Sequence, residues 1–140
     1  GMIIASGKAV KQHGFAPRAE IMGRKVAGVP ARTMGMGPVP ATKKLMSHLS
    51  MTLDDMDIIE LNEAFAAQSL GCTRDMGLAD DDARINPRGG AIALGHPLGM
   101  SGARLLTTAT HQLINSDQKL ALCTMCIGVG QGIAVVLKKV

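Results

Sequence analysis

Short apolar runs alternate along this chain with segments of helical period, and that alternation confines it to few folds. "AEIMGRKVAGV" at residues 19–29, "DIIEL" at 57–61, "KLALCTMCI" at 119–127 and "GIAVVLKK" at 132–139 have the length and composition of strands. "GMGPVPATKKLMSHL" places prolines at a helix start, where a missing N–H does no harm, and sets Leu45 and Leu49 on one face. "NEAFAAQSLGCTRDM" follows "DIIEL" directly and reads as a helix with Phe65 in its first turns. Ser101 to Asn115 reads as another, with Leu105, Leu106, Ala109 and Leu113 as its apolar stripe. "AIAL" at 91–94 reads as one more short strand. Apart from these five, Met2 to Ala5 reads as a strand with no preceding partner, leading into a helix that Ser6 caps and Gly14 ends. The order predicts an α/β fold: a mixed five-stranded sheet, mostly parallel with an antiparallel edge from the last hairpin, and helices on both faces.

Composition narrows the function classes. At 140 residues, 46% hydrophobic and 19% charged, the chain is long enough for a real core and reads as one domain or a half-domain. No window approaches the run of about 18 apolar residues of a membrane span, and the N-terminus lacks a signal-peptide succession, so a cytoplasmic location and no membrane partner are expected. The net charge of +4 suits an anionic ligand, but Phe15 and Phe65 are the only aromatic residues, too few for the stacking platforms of single-strand nucleic-acid binding. No nucleic-acid partner is expected. Most of the ten methionines read as core filler.

In sheets of this kind ligands sit beyond the carboxyl ends of strands. Three segments fall there: Asn62 and Glu63 after "DIIEL", His96 after "AIAL", and Cys126 to Gly132 at the final turn. His96 stands within "GGAIALGHPLGMSGAR", residues 89–104, where five glycines loosen the backbone unless close packing or a ligand requires them. It precedes a helix whose positive end favours a neutral imidazole, able to accept a proton at neutral pH. His13, His48 and His111 lie among polar neighbours on helices and read as solvated. Cys123 and Cys126 form a C-x-x-C pair, but zinc needs four ligands in most structural sites, Cys72 has no such partner, and thiols three apart on a strand face opposite ways. No metal site is expected, and Cys72 and Cys123 read as small buried residues. Spacing leaves Cys126 open between that reading and a working acid or base beside the free amides of "CIGVGQG", which suit an oxyanion. Neither "GVGQG" nor "GMGP" matches a dinucleotide loop, and no G-x-S-x-G or Walker pattern occurs.

"NEAFAAQ" at 62–68, "GGAIALGHPLGMSGARLL" at 89–106, "CIGVGQG" at 126–132 and "GMGPVPA" at 35–41 together resemble the C-terminal half of the thiolases, which cleave or form 3-oxoacyl-CoA. The likeness covers nearly the whole chain. "GHPLGMSGARLL" and "ALCTMCIGVGQG" look most like the 3-oxoadipyl-CoA (β-ketoadipyl-CoA) branch, with acetoacetyl-CoA the next substrate in view. The resemblance implies that His96 activates a nucleophilic thiol and helps bind the thioester oxygen, with a water held by Asn62. It implies that Cys126 shuttles a proton at the carbon beside the carbonyl, and that the Gly128 amide joins an oxyanion hole. Phe65 and Met36 are expected in the substrate pocket. Coenzyme A enters as substrate, and no cofactor is implied. One departure is Arg88 in "INPRGG", where the family commonly has a second asparagine, and a charged fork there changes loop packing.

By the same resemblance, residues 1–16 correspond to the last strand and helix of a thiolase N-terminal half and 17–140 to the C-terminal domain. No residue matches the cysteine that carries the acyl group, since Cys72 lies inside the helix after "NEAFAAQ". The chain alone is therefore expected to be inactive, with an N-terminal half as partner and a homo-oligomer as the assembled form. The competing expectation is a noncatalytic thiolase-like module that serves binding or assembly.

Overall fold

The computed structural model describes residues 1–140. Its strands are β1 (Ala19–Gly28), β2 (Ile58–Leu61), β3 (Leu120–Ile127) and β4 (Gln131–Lys139). Its helices are α1 (Gly7–His13), α2 (Pro38–Leu49), α3 (Ala66–Asp75), α4 (Ala91–Leu94) and α5 (Leu98–Ile114). The strands make one sheet in the order β1-β4-β3-β2. An α/β fold with a mixed sheet and helices on both faces is as the sequence predicts.

The sheet has four strands rather than five, and parallel pairing is the minority. Only β2 and β3 run parallel, while β3–β4 and β1–β4 are antiparallel. The reasons are local. β3 and β4 are joined by three residues, which permits only a hairpin, whereas β2 reaches β3 through the long crossover that includes α5. "AIAL" is the short helix α4 instead of a strand, since the Ile92 N–H donates to the Glu63 carboxylate at 3.0 Å and the Gly95 N–H to the Ala91 carbonyl at 2.8 Å. Met2 to Ala5 is not a strand either, and Ile3 and Ile4 are exposed. α1 follows as expected, with the Ser6 hydroxyl accepting from the Ala9 N–H at 3.1 Å and Gly14 left-handed at φ 65°.

Side-chain alternation sends each strand's residues to two cores. On one face, Ala41, Leu45 and Met46 of α2 pack against Ile59, Leu122, Ala134 and Val136. On the other, Leu105, Ala109 and Leu113 of α5 pack against Ile58, Ala121, Cys123 and Leu137. Burying one such leucine supplies about 2 kcal/mol of transfer free energy. β2 is buried at all four positions, including Glu60, and its outer edge is covered by a bridge from Ile59 to Ile85. Arg84 secures that covering loop by pairing with Asp82 at 2.7 Å and donating to the carbonyls of Leu53 and Met56. The result is a rigid β2 flanked on both faces, and its carboxyl end is where the candidate residues gather.

Candidate active site

β2 and β3 end on a common rim. Leu61 pairs with Thr124, and the next residue, Asn62, donates its backbone N–H to the Thr124 carbonyl at 3.0 Å. β3 runs on from there to Cys126, opposite Gly132 of β4. Asn62 is fully buried. Its Nδ2 lies 3.3 Å from His96 Nε2, although the two residues are 34 apart in the chain.

His96 reaches that position through a chain of local constraints. Gly95 has φ 96°, a conformation closed to most side chains, and Pro97 caps α5. Upstream, the Glu63 carboxylate accepts from the Ile92 N–H and from Asn86 Nδ2 at 2.8 Å. Asn86, itself left-handed at φ 46°, bonds both backbone groups of Leu61 at 2.9 Å, as a neighbouring strand would. Glu63 and Asn86 thus tie the segment carrying His96 to the end of β2. Downstream, Ser101 Oγ lies 2.5 Å from His96 Nδ1. Arg88 of the same loop is exposed.

Cys126 is nearly buried, and that burial pushes its thiol above the ordinary value of 9.0, so it is protonated at neutral pH. Cys123 faces the other way, into the α5 core, and burial raises its thiol as well. Cys72 is buried in α3 and donates to the Gly35 carbonyl at 3.3 Å, with its thiol likewise raised by burial. Opposed faces for Cys123 and Cys126 agree with the strand argument. No group of three or more His, Cys, Asp or Glu side chains is arranged as a metal site, and no helix is long and apolar enough to cross a membrane.

The hairpin turn after Cys126 consists of Gly128, Val129 and Gly130, with Val129 at φ 59° and Gly130 at φ 85°. A β-branched residue in the left-handed region is strained. The turn is held from behind, since the Val29 N–H donates to the Gly130 carbonyl at 2.7 Å. Gly37 and Gly132 approach so closely that a Cβ on either would meet the backbone of the other. Gly128 is exposed at the tip. Phe65 is 65% exposed in the connection before α3, which begins at Ala66 rather than Asn62. Met36 is half-buried and packs against Val39, Leu61 and Cys72, with its sulfur against Gly71.

The structure therefore brings Asn62 and His96 into contact and sets Cys126 on the same rim, with Gly128 beyond it. His13, His48 and His111 are exposed, as expected. Sequence reasoning does not reach three further residues. Ser101 sits five positions after His96 inside the same glycine-rich motif, which is the signal that could have found it. Asn86 carries no such signal. Glu60 has one, a carboxylate within the otherwise apolar "DIIEL"; it is fully buried and accepts from Arg104 at 2.9 Å and Gln112 at 2.7 Å, both on α5. Burial raises the Glu60 carboxyl against the opposing pull of Gln112 and Arg104.

An imidazole nitrogen lying beside a buried amide, with a protonated thiol on the same strand rim, supplies one proton acceptor and one proton donor. Residues 15–139 match the family model "Thiolase, C-terminal domain". The chain is 62% identical over 139 residues to the β-ketoadipyl-CoA thiolase of Acinetobacter baylyi and 60% identical to that of Pseudomonas knackmussii, covering 99% of this chain and 35% of each relative. It thus spans about a third of the length of these relatives. Human mitochondrial 3-ketoacyl-CoA thiolase superposes with a TM-score of 0.92 at 46% identity, covering 97% of this chain and 34% of that one. The chain belongs to the thiolase family and corresponds to its C-terminal domain.

Proposed function

We propose that this domain takes part in acyl transfer between a 3-oxoacyl-CoA and coenzyme A, with 3-oxoadipyl-CoA as the favoured substrate and acetoacetyl-CoA next. The contact between Asn62 Nδ2 and His96 Nε2, on the rim shared with Cys126, carries this reading. The two bacterial relatives described above, both named β-ketoadipyl-CoA thiolases, support the choice of substrate.

In the proposed reaction a cysteine outside residues 1–140 is the nucleophile, because Cys72 and Cys123 are buried structural thiols and Cys126 has another task. His96 takes that cysteine's proton. The thiolate attacks the 3-carbonyl carbon, and the Gly128 amide joins the hole for the oxygen that becomes negative. His96 helps hold the thioester oxygen, with a water held by Asn62 beside it. The bond between C2 and C3 then breaks, its electron pair stays on C2, and Cys126 donates a proton there to release acetyl-CoA. The Cys126 thiolate then takes the proton of coenzyme A, whose sulfur attacks the acyl-enzyme; the acyl–cysteine bond breaks, His96 returns its proton to the nucleophilic cysteine, and the shortened acyl-CoA leaves, which for 3-oxoadipyl-CoA is succinyl-CoA. Phe65 and Met36 border the acyl pocket. Coenzyme A is a substrate, and the working form is a cytoplasmic homo-oligomer in which an N-terminal thiolase half completes the site.

The test is to incubate the chain with 3-oxoadipyl-CoA, alone and after assembly with the N-terminal half of a β-ketoadipyl-CoA thiolase, and to look for acyl-enzyme by mass spectrometry. An acyl adduct on the N-terminal half of the assembled protein, and none on the chain alone, is expected. An adduct on Cys72 or Cys126 of the isolated chain would overturn the assignment.

A further inference from the structure

His96 has two ring nitrogens, and both are engaged by this chain's own side chains. Nε2 lies 3.3 Å from Asn62 Nδ2, and Nδ1 lies 2.5 Å from Ser101 Oγ. Ser101 is itself buried, in the first turn of α5, and its Oγ also lies 3.1 Å from the carbonyl oxygen of Pro97. A hydroxyl has one proton to give, and a carbonyl oxygen has none. For a neutral imidazole the arrangement therefore leaves two proton assignments to weigh.

In the first, Asn62 Nδ2–H donates to a bare Nε2, Nδ1–H donates to Ser101 Oγ, and Ser101 O–H donates to Pro97. All three contacts carry a proton, and only Asn62 Oδ1 is left without a partner. In the second, the Asn62 amide is turned over, Nε2–H donates to Oδ1, and Ser101 O–H donates to Nδ1. The Pro97 carbonyl keeps the Met100 and Ser101 backbone N–H donors, at 2.9 and 3.1 Å, but the two amide N–H donors of Asn62 replace one acceptor as the unpartnered buried group. Two orphaned buried donors are rarer and costlier than one under-satisfied acceptor, so the first assignment prevails.

We infer that Ser101 is a positioning residue which, through Pro97 on one side and with Asn62 across the ring, fixes His96 in the tautomer with its proton on Nδ1 and a bare Nε2 facing the rim. This deepens the proposed function, and its consequence for catalysis rests on His96 being the base there. Nε2 can take a proton from an incoming thiol once the Asn62 N–H that it accepts swings aside, and Ser101 keeps that nitrogen unprotonated without a carboxylate partner on the ring. The buried Oδ1 of Asn62 is left free as an acceptor at the same place.

The experiment is ¹⁵N NMR of the histidine rings of the uniformly labelled chain, without substrate, at about pH 8.5, two units above the reference imidazole value. Protonated and bare ring nitrogens separate widely in ¹⁵N shift. His96 is assigned by its loss in His96→Gln, and the exposed His13, His48 and His111 serve as references. The expected result is a His96 spectrum dominated by the Nδ1–H form. In Ser101→Ala that form is expected to lose its dominance, and in Ser101→Thr, which keeps the hydroxyl, to recover it, with amide spectra reporting that each variant is folded. Dominance of Nε2–H in the wild-type chain overturns the inference without recourse to any variant. So does an unchanged Nδ1–H signal in folded Ser101→Ala. Because the readout needs no substrate and no nucleophile, it stands or falls separately from acyl transfer.

Discussion

The carboxyl group of Glu63 occupies the space that a Cβ on Gly90 would require. Gly90 has φ −98° and ψ −167°, backbone values open to any residue, so glycine is needed here for room and not for conformation. Its neighbour Gly89 is the reverse case, with φ 90° and no contact closer than 3.6 Å to an added Cβ.

Gly90→Ala is accordingly expected to displace Glu63 from Asn86 and the Ile92 N–H, loosening α4 and the approach to His96. Loss of a charge-assisted pair of this kind costs about 2 kcal/mol. Urea denaturation measures that cost, and His96 amide shifts should move with it. Glu63→Gln, which keeps the shape and one acceptor, is expected to cost less than Gly90→Ala.

Arg104 and Glu60 form a pair between α5 and β2, with side chains 11% and 0% exposed. Arg104→Met leaves the carboxylate buried with Gln112 as its remaining partner, and a destabilisation of about 3 kcal/mol near neutral pH is expected. The sign of its pH dependence follows from linkage. Glu60 is already raised by burial, and losing Arg104 raises it further, so the folded variant binds a proton more tightly than the unfolded one. Stability is then fullest below the unfolded value, near 4.5, and is lost as pH rises through the folded value. Denaturation midpoints measured across that window should converge with wild type at acid pH. Replacing both partners, Glu60→Leu with Arg104→Met, is expected to be nearly neutral.

The three thiols are all raised by burial and therefore protonated near neutrality. Since the thiolate is the reactive form, iodoacetamide at about pH 7 should leave them unmodified while free cysteine reacts to completion. Above the ordinary thiol value of 9.0, Cys126, at the rim, should be alkylated before Cys72 and Cys123. Peptide mapping with mass detection checks the order. Rapid modification of Cys126 at neutral pH would show a thiolate where the structure holds a thiol.

How much of this was legible in the sequence follows the range of the forces involved. Leu105, Ala109 and Leu113 announce their helix face by spacing alone, and Leu45 does the same in α2. That Asn62 and His96 meet was legible because each follows the end of an element, although the element before His96 is the helix α4 and not a strand. "AIAL" was not, because four apolar residues have no period, and a glutamate 29 positions away decides their helical form. The antiparallel pairing of β1 with β4 was equally hidden, since strand composition does not say which neighbour a strand takes. Ser101 was missed although it shares the glycine-rich motif of His96, because a helical serine does not announce which partner its hydroxyl takes.

The most direct measurement of the account is exchange of the C2 protons of acetyl-CoA in D₂O by the chain assembled with a thiolase N-terminal half. Exchange is predicted with the wild-type domain. Cys126→Ala should slow it by about a hundredfold or more, the worth of a positioned acid or base. Undiminished exchange in Cys126→Ala would contradict the account.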